Sequence, residues 1–171
     1  MAKSLYLHGS GEPRMGEETL QVDVVDPRGP EAAELIRELS AELARRYDYM
    51  EDGSGGFKPE DALGPRGAFV IGCVGGTPVA CGAIRPLEED VAELKRVFVK
   101  VDFRRRGYSK AVVNELEGQA RARGYRLLRL ETGVRQPEAI SLYESLGYHP
   151  IPNYGEYRDS RLSVCFEKTL V

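Results

Sequence analysis

The sequence predicts one mixed α/β domain with an antiparallel meander at its centre. Three observations carry this. Short runs alternate apolar and polar residues with period two, longer runs place apolar residues at helical spacing, and Gly-, Pro- or acid-rich breaks separate them. Read in order, the runs give strand, helix, three strands, helix, strand, helix and two strands. A chain of 171 residues is the size of one ordinary domain and can bury a substantial core.

Residues 1–18 read as a loose, flexible leader, because Gly9, Ser10, Gly11 and Pro13 break any period. The domain proper is expected over 19–171. Leu20, Val22 and Val24 alternate along a first strand at 19–25. Pro30 opens a helix over 31–47, with Leu35, Ile36, Leu39 and Leu43 on one face. Residues 51–67, rich in Gly, Pro and Asp, form a long loop, and such loops are often functional. Strands at 68–74 and 79–84 flank a Gly75-Gly76 turn and make a hairpin. The acidic turn Glu88-Glu89-Asp90 leads into a third strand of the meander at 91–101. A helix follows over 108–123, with Ala111, Val112, Leu116 and Ala120 inward and Gly124 as its stop. The remainder is a strand at 126–131, a short helix at 136–146 and strands at 148–151 and 162–168.

Composition narrows the class. Hydrophobic residues make up 42% and charged residues 30%, which fits a soluble globular protein. The net charge of -3 lacks the basic excess of a nucleic-acid binder. No apolar run is long enough to cross a bilayer, and the first residues lack a secretory signal. The expected compartment is the cytoplasm, with no nucleic-acid or membrane partner. Cys73, Cys81 and Cys165 sit singly in apolar strands and read as small buried hydrophobes. His8 and His149 have no partner at ligand spacing, so no metal is expected.

The chemistry concentrates between Leu94 and Lys110. A strand enters a turn holding Arg104, Arg105, Arg106 and Gly107, and the turn opens directly into a helix. Unpaired N–H groups and the dipole at a helix start attract anions. A glycine lets backbone approach a ligand, and arginines add donors. Together they make a cradle for pyrophosphate, the alternative being a solvated basic turn.

This turn resembles the acetyl-CoA signature of the GNAT N-acetyltransferase superfamily, Arg/Gln-x-x-Gly-x-Gly/Ala. Here it reads Arg104-x-x-Gly107-x-Ser109, with serine where the family has glycine or alanine. The segment Glu93-Leu94-Lys95-Arg96-Val97-Phe98-Val99 resembles the family's central strand. Ala139-Ile140-Ser141-Leu142-Tyr143 with Gly147-Tyr148 is similar to its second hallmark, A-x-x-L-Y-x-x-x-G-F/Y. The resemblance covers residues 19–170. It implies a mixed, mostly antiparallel central sheet flanked by helices, and transfer of acetyl from acetyl-CoA to an amine in a ternary complex.

Site residues follow from the resemblance position by position. Main-chain groups along Val97-Phe98-Val99 would pair with the pantetheine arm like a further strand. Arg104 opens the signature turn, and N–H groups from Arg105, Arg106, Gly107, Tyr108, Ser109 and Lys110 would hold the pyrophosphate. Gln136 would lie near the pantetheine. Tyr143 would protonate the departing thiolate, the alternative being a core aromatic.

Glu93 is the candidate base, and Glu131, at the end of the next strand, is a second candidate. Strict strand period puts Glu93, Lys95 and Val97 on one face, where Glu93 could serve as base or simply pair with Lys95. Arg85, Lys95 and Arg96 on adjacent strands could receive an acceptor carboxylate, as in an amino acid, or be internally paired. Tyr154 and Tyr157 could wall the acceptor pocket or cover the sheet edge. The expected partners are acetyl-CoA and a small-molecule amine, and monomer and homodimer both stay open. The competing functions are protein lysine or N-terminal acetylation and a noncatalytic acyl-CoA sensor.

Overall fold

A computed structural model describes residues 19–48 and 56–171. The predicted leader 1–18 and positions 51–55 of the predicted loop lie outside the described residues. The elements are β1 (Gln21–Val24), α1 (Pro30–Tyr47), β2 (Ala68–Val74), β3 (Thr77–Pro86), β4 (Val91–Val99), α2 (Tyr108–Ala122), β5 (Leu127–Gly133), α3 (Pro137–Ser145), β6 (His149–Ile151) and β7 (Ser163–Thr169). Seven strands form one sheet in the order β1-β2-β3-β4-β5-β7-β6. Every neighbouring pair is antiparallel except β4 with β5. That parallel pair is joined through α2, as a parallel connection requires.

Helices cover both faces. Ala32, Leu35 and Leu39 of α1 pack on Phe69, Ile71, Cys81, Ala83 and Phe98. Val112, Val113, Leu116 and Ala120 of α2 pack on the opposite face with Val70, Ile84, Leu94, Leu128 and Leu130. Tyr143 and Leu146 of α3 join that second core. Glycine at 82 lets α2 approach, because a Cβ there would lie 2.7 Å from Leu116 and 2.9 Å from Val112.

Two departures from the expected pattern shape the site. The third strand of the meander stops at Val99 rather than 101, and residues 101–103 form a short 3₁₀ turn. The second is a β-bulge. Cys81 pairs with Phe98 and Ala83 with Lys95, so β4 carries one residue more than β3. Arg96 takes φ 59° there. Such a bulge bends its strand and re-aims the residues after it. Strict alternation had placed Glu93, Lys95 and Val97 on one face. Instead Val97 packs on the α2 side, within 3.4 Å of a Cβ at Gly82, whereas Lys95 stands opposite Ala83 of the α1-side core.

β4 and β5 pair only from Val91 with Leu127 to Leu94 with Leu130. Both strands continue past that point without pairing each other. They part where the bulge begins, and the opening is the candidate site.

Candidate active site

The opening has a large and a small compartment. The large one is a cavity of about 610 Å³ between the ends of β4 and α3, the turn before α2 and one side of α1. Val97, Phe98, Val99, Arg104, Arg105, Gly107, Tyr108, Ser109, Lys110 and Gln136 all line it. Arg106 does not; its guanidinium donates to the Asp102 carbonyl (3.2 Å) and lies over the Phe103 ring.

Gly107 caps α2 with φ 78° and ψ 9°, the left-handed region that favours glycine. Among the described residues, and apart from its chain neighbours, nothing lies within 4 Å of where its Cβ would stand. The first intrahelical bond runs from the Ala111 N–H to the Gly107 carbonyl, so earlier N–H groups point out of the helix end. Arg105 and Lys110 are exposed beside them. Arg104 has a different task. It donates to the Val99 carbonyl (2.8 Å) and to Glu42 (2.5 Å), bracing the turn against β4 and α1.

The small compartment, about 120 Å³, shares Val97, Gln136, Ala139 and Tyr143 with the large one. Lys95 and Glu131 face each other across it from the two parted strands. Glu131 is half-buried and accepts a hydrogen bond from the Ser163 hydroxyl (2.7 Å). Burial raises its pKa above the usual carboxylate value, against the lowering effect of Ser163 and Lys95. Burial lowers the pKa of Lys95, opposed by Glu93. The Lys95 ammonium donates to the Tyr157 hydroxyl (2.6 Å) and lies 3.9 Å from Glu93.

Glu93 is only 1% exposed and fully engaged. Arg85 donates to one oxygen (2.9 Å), and the hydroxyls of Tyr154 and Tyr157 donate to the other (3.0 and 3.1 Å). Arg85 also reaches Asp61 (2.9 Å) and the Gly56 carbonyl (3.2 Å). Two loops are therefore anchored on one carboxylate of β4. Arg96 lines the small compartment with Lys95, apart from Arg85, but at the bulge its guanidinium donates to Ser40 (2.5 Å) and the Ile36 carbonyl (3.4 Å) of α1.

Tyr143 stands where the compartments meet. Its ring packs edge-on against Tyr148 at 5.6 Å and tilted against Phe166 at 6.4 Å. Its hydroxyl has no hydrogen-bond partner among the described residues. Burial, with the Glu131 charge, raises its pKa, so the phenol stays protonated at neutral pH. The cysteines lie elsewhere; burial pushes Cys81 up to about 12, which leaves it a thiol.

The sequence profile of the acetyltransferase (GNAT) family matches residues 33–148. The chain belongs to that family. It is 37% identical over 103 residues to the IAA acetyltransferase of Azospirillum brasilense, covering 60% of this chain and 67% of that protein. It is 37% identical over 86 residues to the N-acetyltransferase MJ1207 of Methanocaldococcus jannaschii, covering 47% of this chain and only 38% of that longer relative. An acyl-CoA N-acyltransferase structure from Klebsiella pneumoniae superposes with a TM-score of 0.74 at 29% identity, covering 91% of this chain and all of that one.

Membership makes the GNAT domain an acyltransferase with acetyl-CoA as cosubstrate. The large cavity fits that molecule: an open helix N-terminus, a glycine with empty space before it and exposed cations suit a pyrophosphate. Past Leu94 the edge of β4 is no longer paired by β5, and the Val97–Val99 stretch of that edge lines the cavity where pantetheine amides would lie. Among the described residues, no helix is long and apolar enough to cross a membrane. Sequence reading missed Ser163, Glu42 and Asp61. Each acts through a side-chain contact to a residue at least 24 positions away, and no local pattern marks such a contact.

Proposed function

We propose that this GNAT enzyme transfers acetyl from acetyl-CoA to the primary amine of a small molecule by direct attack in a ternary complex. The observation that carries this reading is the junction at Tyr143, where a cavity of cofactor size meets a small cleft with Glu131 on one wall and Lys95 on the other. That pair complements an amino acid or similar acid, with its amine toward Glu131 and its carboxylate toward Lys95. A panel of primary amines, amino acids and peptides assayed for CoA release tests it. Turnover confined to peptides would favour protein acetylation, and binding of acetyl-CoA without turnover on any amine would favour a sensor.

Within this reading Glu131 is the base, and Glu93 is a strut that holds two loops. A base must keep a lone pair available for the incoming amine's proton. Glu93 already accepts three hydrogen bonds, one of them from the Arg85 guanidinium, and has Lys95 at 3.9 Å, whereas Glu131 accepts one and faces the cleft. Glu131 must be ionised to act, and burial raises its pKa. Activity therefore falls as pH drops through that raised value, at higher pH than an ordinary carboxylate would give. Glu131→Gln is expected to lower kcat/KM by about 10²–10⁴-fold and to abolish this acid limb. A pH profile that keeps the limb in the variant returns the proton transfer to Glu93 or to water.

Arg85, Lys95 and Tyr154 take different parts in the acceptor site. Arg85 is neutralised by Glu93 and Asp61, and Tyr154 holds its loop onto Glu93. Lys95 and Arg96 both line the cleft; Arg96 donates to Ser40 and the Ile36 carbonyl of α1, and Lys95, held by Tyr157 and Glu93, faces Glu131. Lys95→Met should raise the KM of a carboxylate-bearing acceptor by about 10–100-fold and leave the acetyl-CoA KM nearly unchanged. Esterifying that carboxylate should cost the wild type a similar factor and add little in the variant. Losses that multiply instead would mean that Lys95 and the carboxylate do not meet.

A further inference from the structure

The last turn of α1 follows Leu43, a wall of the cleft, and the proposed reaction assigns it no role. Tyr47 is buried there, and its hydroxyl accepts hydrogen bonds from the Arg135 N–H (3.3 Å) and the Gln136 side chain (3.4 Å). The Arg135 guanidinium lies 5.7 Å from the Tyr47 ring centre. Arg135 and Arg46 each donate to the other's carbonyl, at 3.1 and 3.4 Å, and Arg46 pairs with Glu138 of α3. These contacts tie α1 to the turn after β5, beside the gap where β4 and β5 part.

The fit at the end of β5 is close. A Cβ on Gly133 would lie 1.4 Å from the Tyr47 hydroxyl oxygen. Gly133 does not have positive φ, so the position demands room rather than an unusual torsion. The neighbours of this contact are cleft residues: Thr132 precedes Gly133, Gln136 touches Tyr47, and Leu43 lies one helical turn before it. Tyr47 itself lines neither compartment; it stands behind Gln136, a wall of both, and against Gly133, next to Thr132.

We propose that Tyr47, seated on Gly133, is a specificity-determining residue that restricts the acceptor to a narrow amine headgroup. The inference rests on the reading that the acceptor occupies the small compartment. A cleft of about 120 Å³ has room for an aminomethyl group and its immediate substituents, and a branched aromatic amine would press on its walls. Removing the ring would take away the support of Gln136 and of the end of β5, and let those walls yield to a wider group. Gly133→Ala would push the hydroxyl off its seat and open the same wall from the other side.

The test needs no knowledge of the natural acceptor. Two thioether conjugates of CoA, CoA–S–CH₂–C(O)–NH–R, carry R as ethyl or as 2,2-diphenylethyl, and their affinities are measured by calorimetry. The wild type should bind the ethyl conjugate about 30-fold tighter than the bulky one. Tyr47→Ala and Gly133→Ala should each bring the ratio below about threefold by tightening the bulky conjugate, with the Kd of CoA itself held within about twofold as the check on folding. A ratio unchanged in both variants overturns the inference alone. Conjugates that bind the wild type no more tightly than CoA overturn the acceptor-cleft reading, and the inference with it.

Discussion

Gly107→Val is expected to weaken acetyl-CoA binding by about 100-fold, or about 2.7 kcal/mol, while the domain still folds. Gly107 caps α2 in the left-handed region, and its Cβ position faces open space. Open space beside outward-pointing N–H groups is where a phosphate must come close, and a valine side chain would fill it. The substitution also carries a backbone cost of about 1–2 kcal/mol, because a β-branched residue fits positive φ poorly. Gly75 supplies the control. It has φ 55°, nothing within 4 Å of its Cβ position, and a place in the β2–β3 turn away from the cavity. Gly75→Val should lower Tm by a similar amount and leave the Kd of acetyl-CoA unchanged. Calorimetry on both variants separates the ligand's share from the backbone's. Equal, unaffected binding in the two would mean that the pyrophosphate is held elsewhere.

The cofactor side was legible in the sequence because its signals are local. A glycine after three arginines, at the point where a strand pattern gives way to a helix pattern, is contained in one short segment, and α2 begins at Tyr108 as that pattern predicts. The meander was legible for the same reason, with β2 spanning Ala68–Val74 as expected. The acceptor side was not, and one residue shows why. Period-two alternation has no means of registering the extra residue at Arg96, which moves Val97 to the opposite face and sends Arg96 itself to α1. The surroundings of Glu93 depend on Tyr154 and Tyr157, more than 60 positions away. A carboxylate with one neighbouring lysine in the sequence therefore turns out to hold an arginine and two phenols. Whether Arg85 receives an acceptor or is internally paired stayed open in the sequence, because its partner Asp61 lies in a loop with no period of its own.

Tyr143→Phe is expected to lower kcat by about 100-fold or more, with the acetyl-CoA KM and Tm nearly unchanged. The phenyl ring keeps the contacts with Tyr148 and Phe166 that hold α3 on the second core. The hydroxyl makes no hydrogen bond within the described residues, so its removal leaves no partner unsatisfied. Tyr143 lines both compartments, and its hydroxyl is not among the sealed, unpartnered polar atoms, so it is open to what the compartments hold. A proton donor to a departing thiolate must be protonated at working pH, and burial together with Glu131 holds this phenol in that form. The deficit should therefore stay constant across the neutral range, with no basic limb in the wild-type profile assignable to Tyr143. Steady-state kinetics at several pH values, with thermal melts of both proteins, decide the matter. A fall in Tm matching the fall in activity would make Tyr143 a packing residue, and unchanged turnover would move the proton delivery to water. A selective loss of kcat would fix the phenol as the acid of the acetyl transfer.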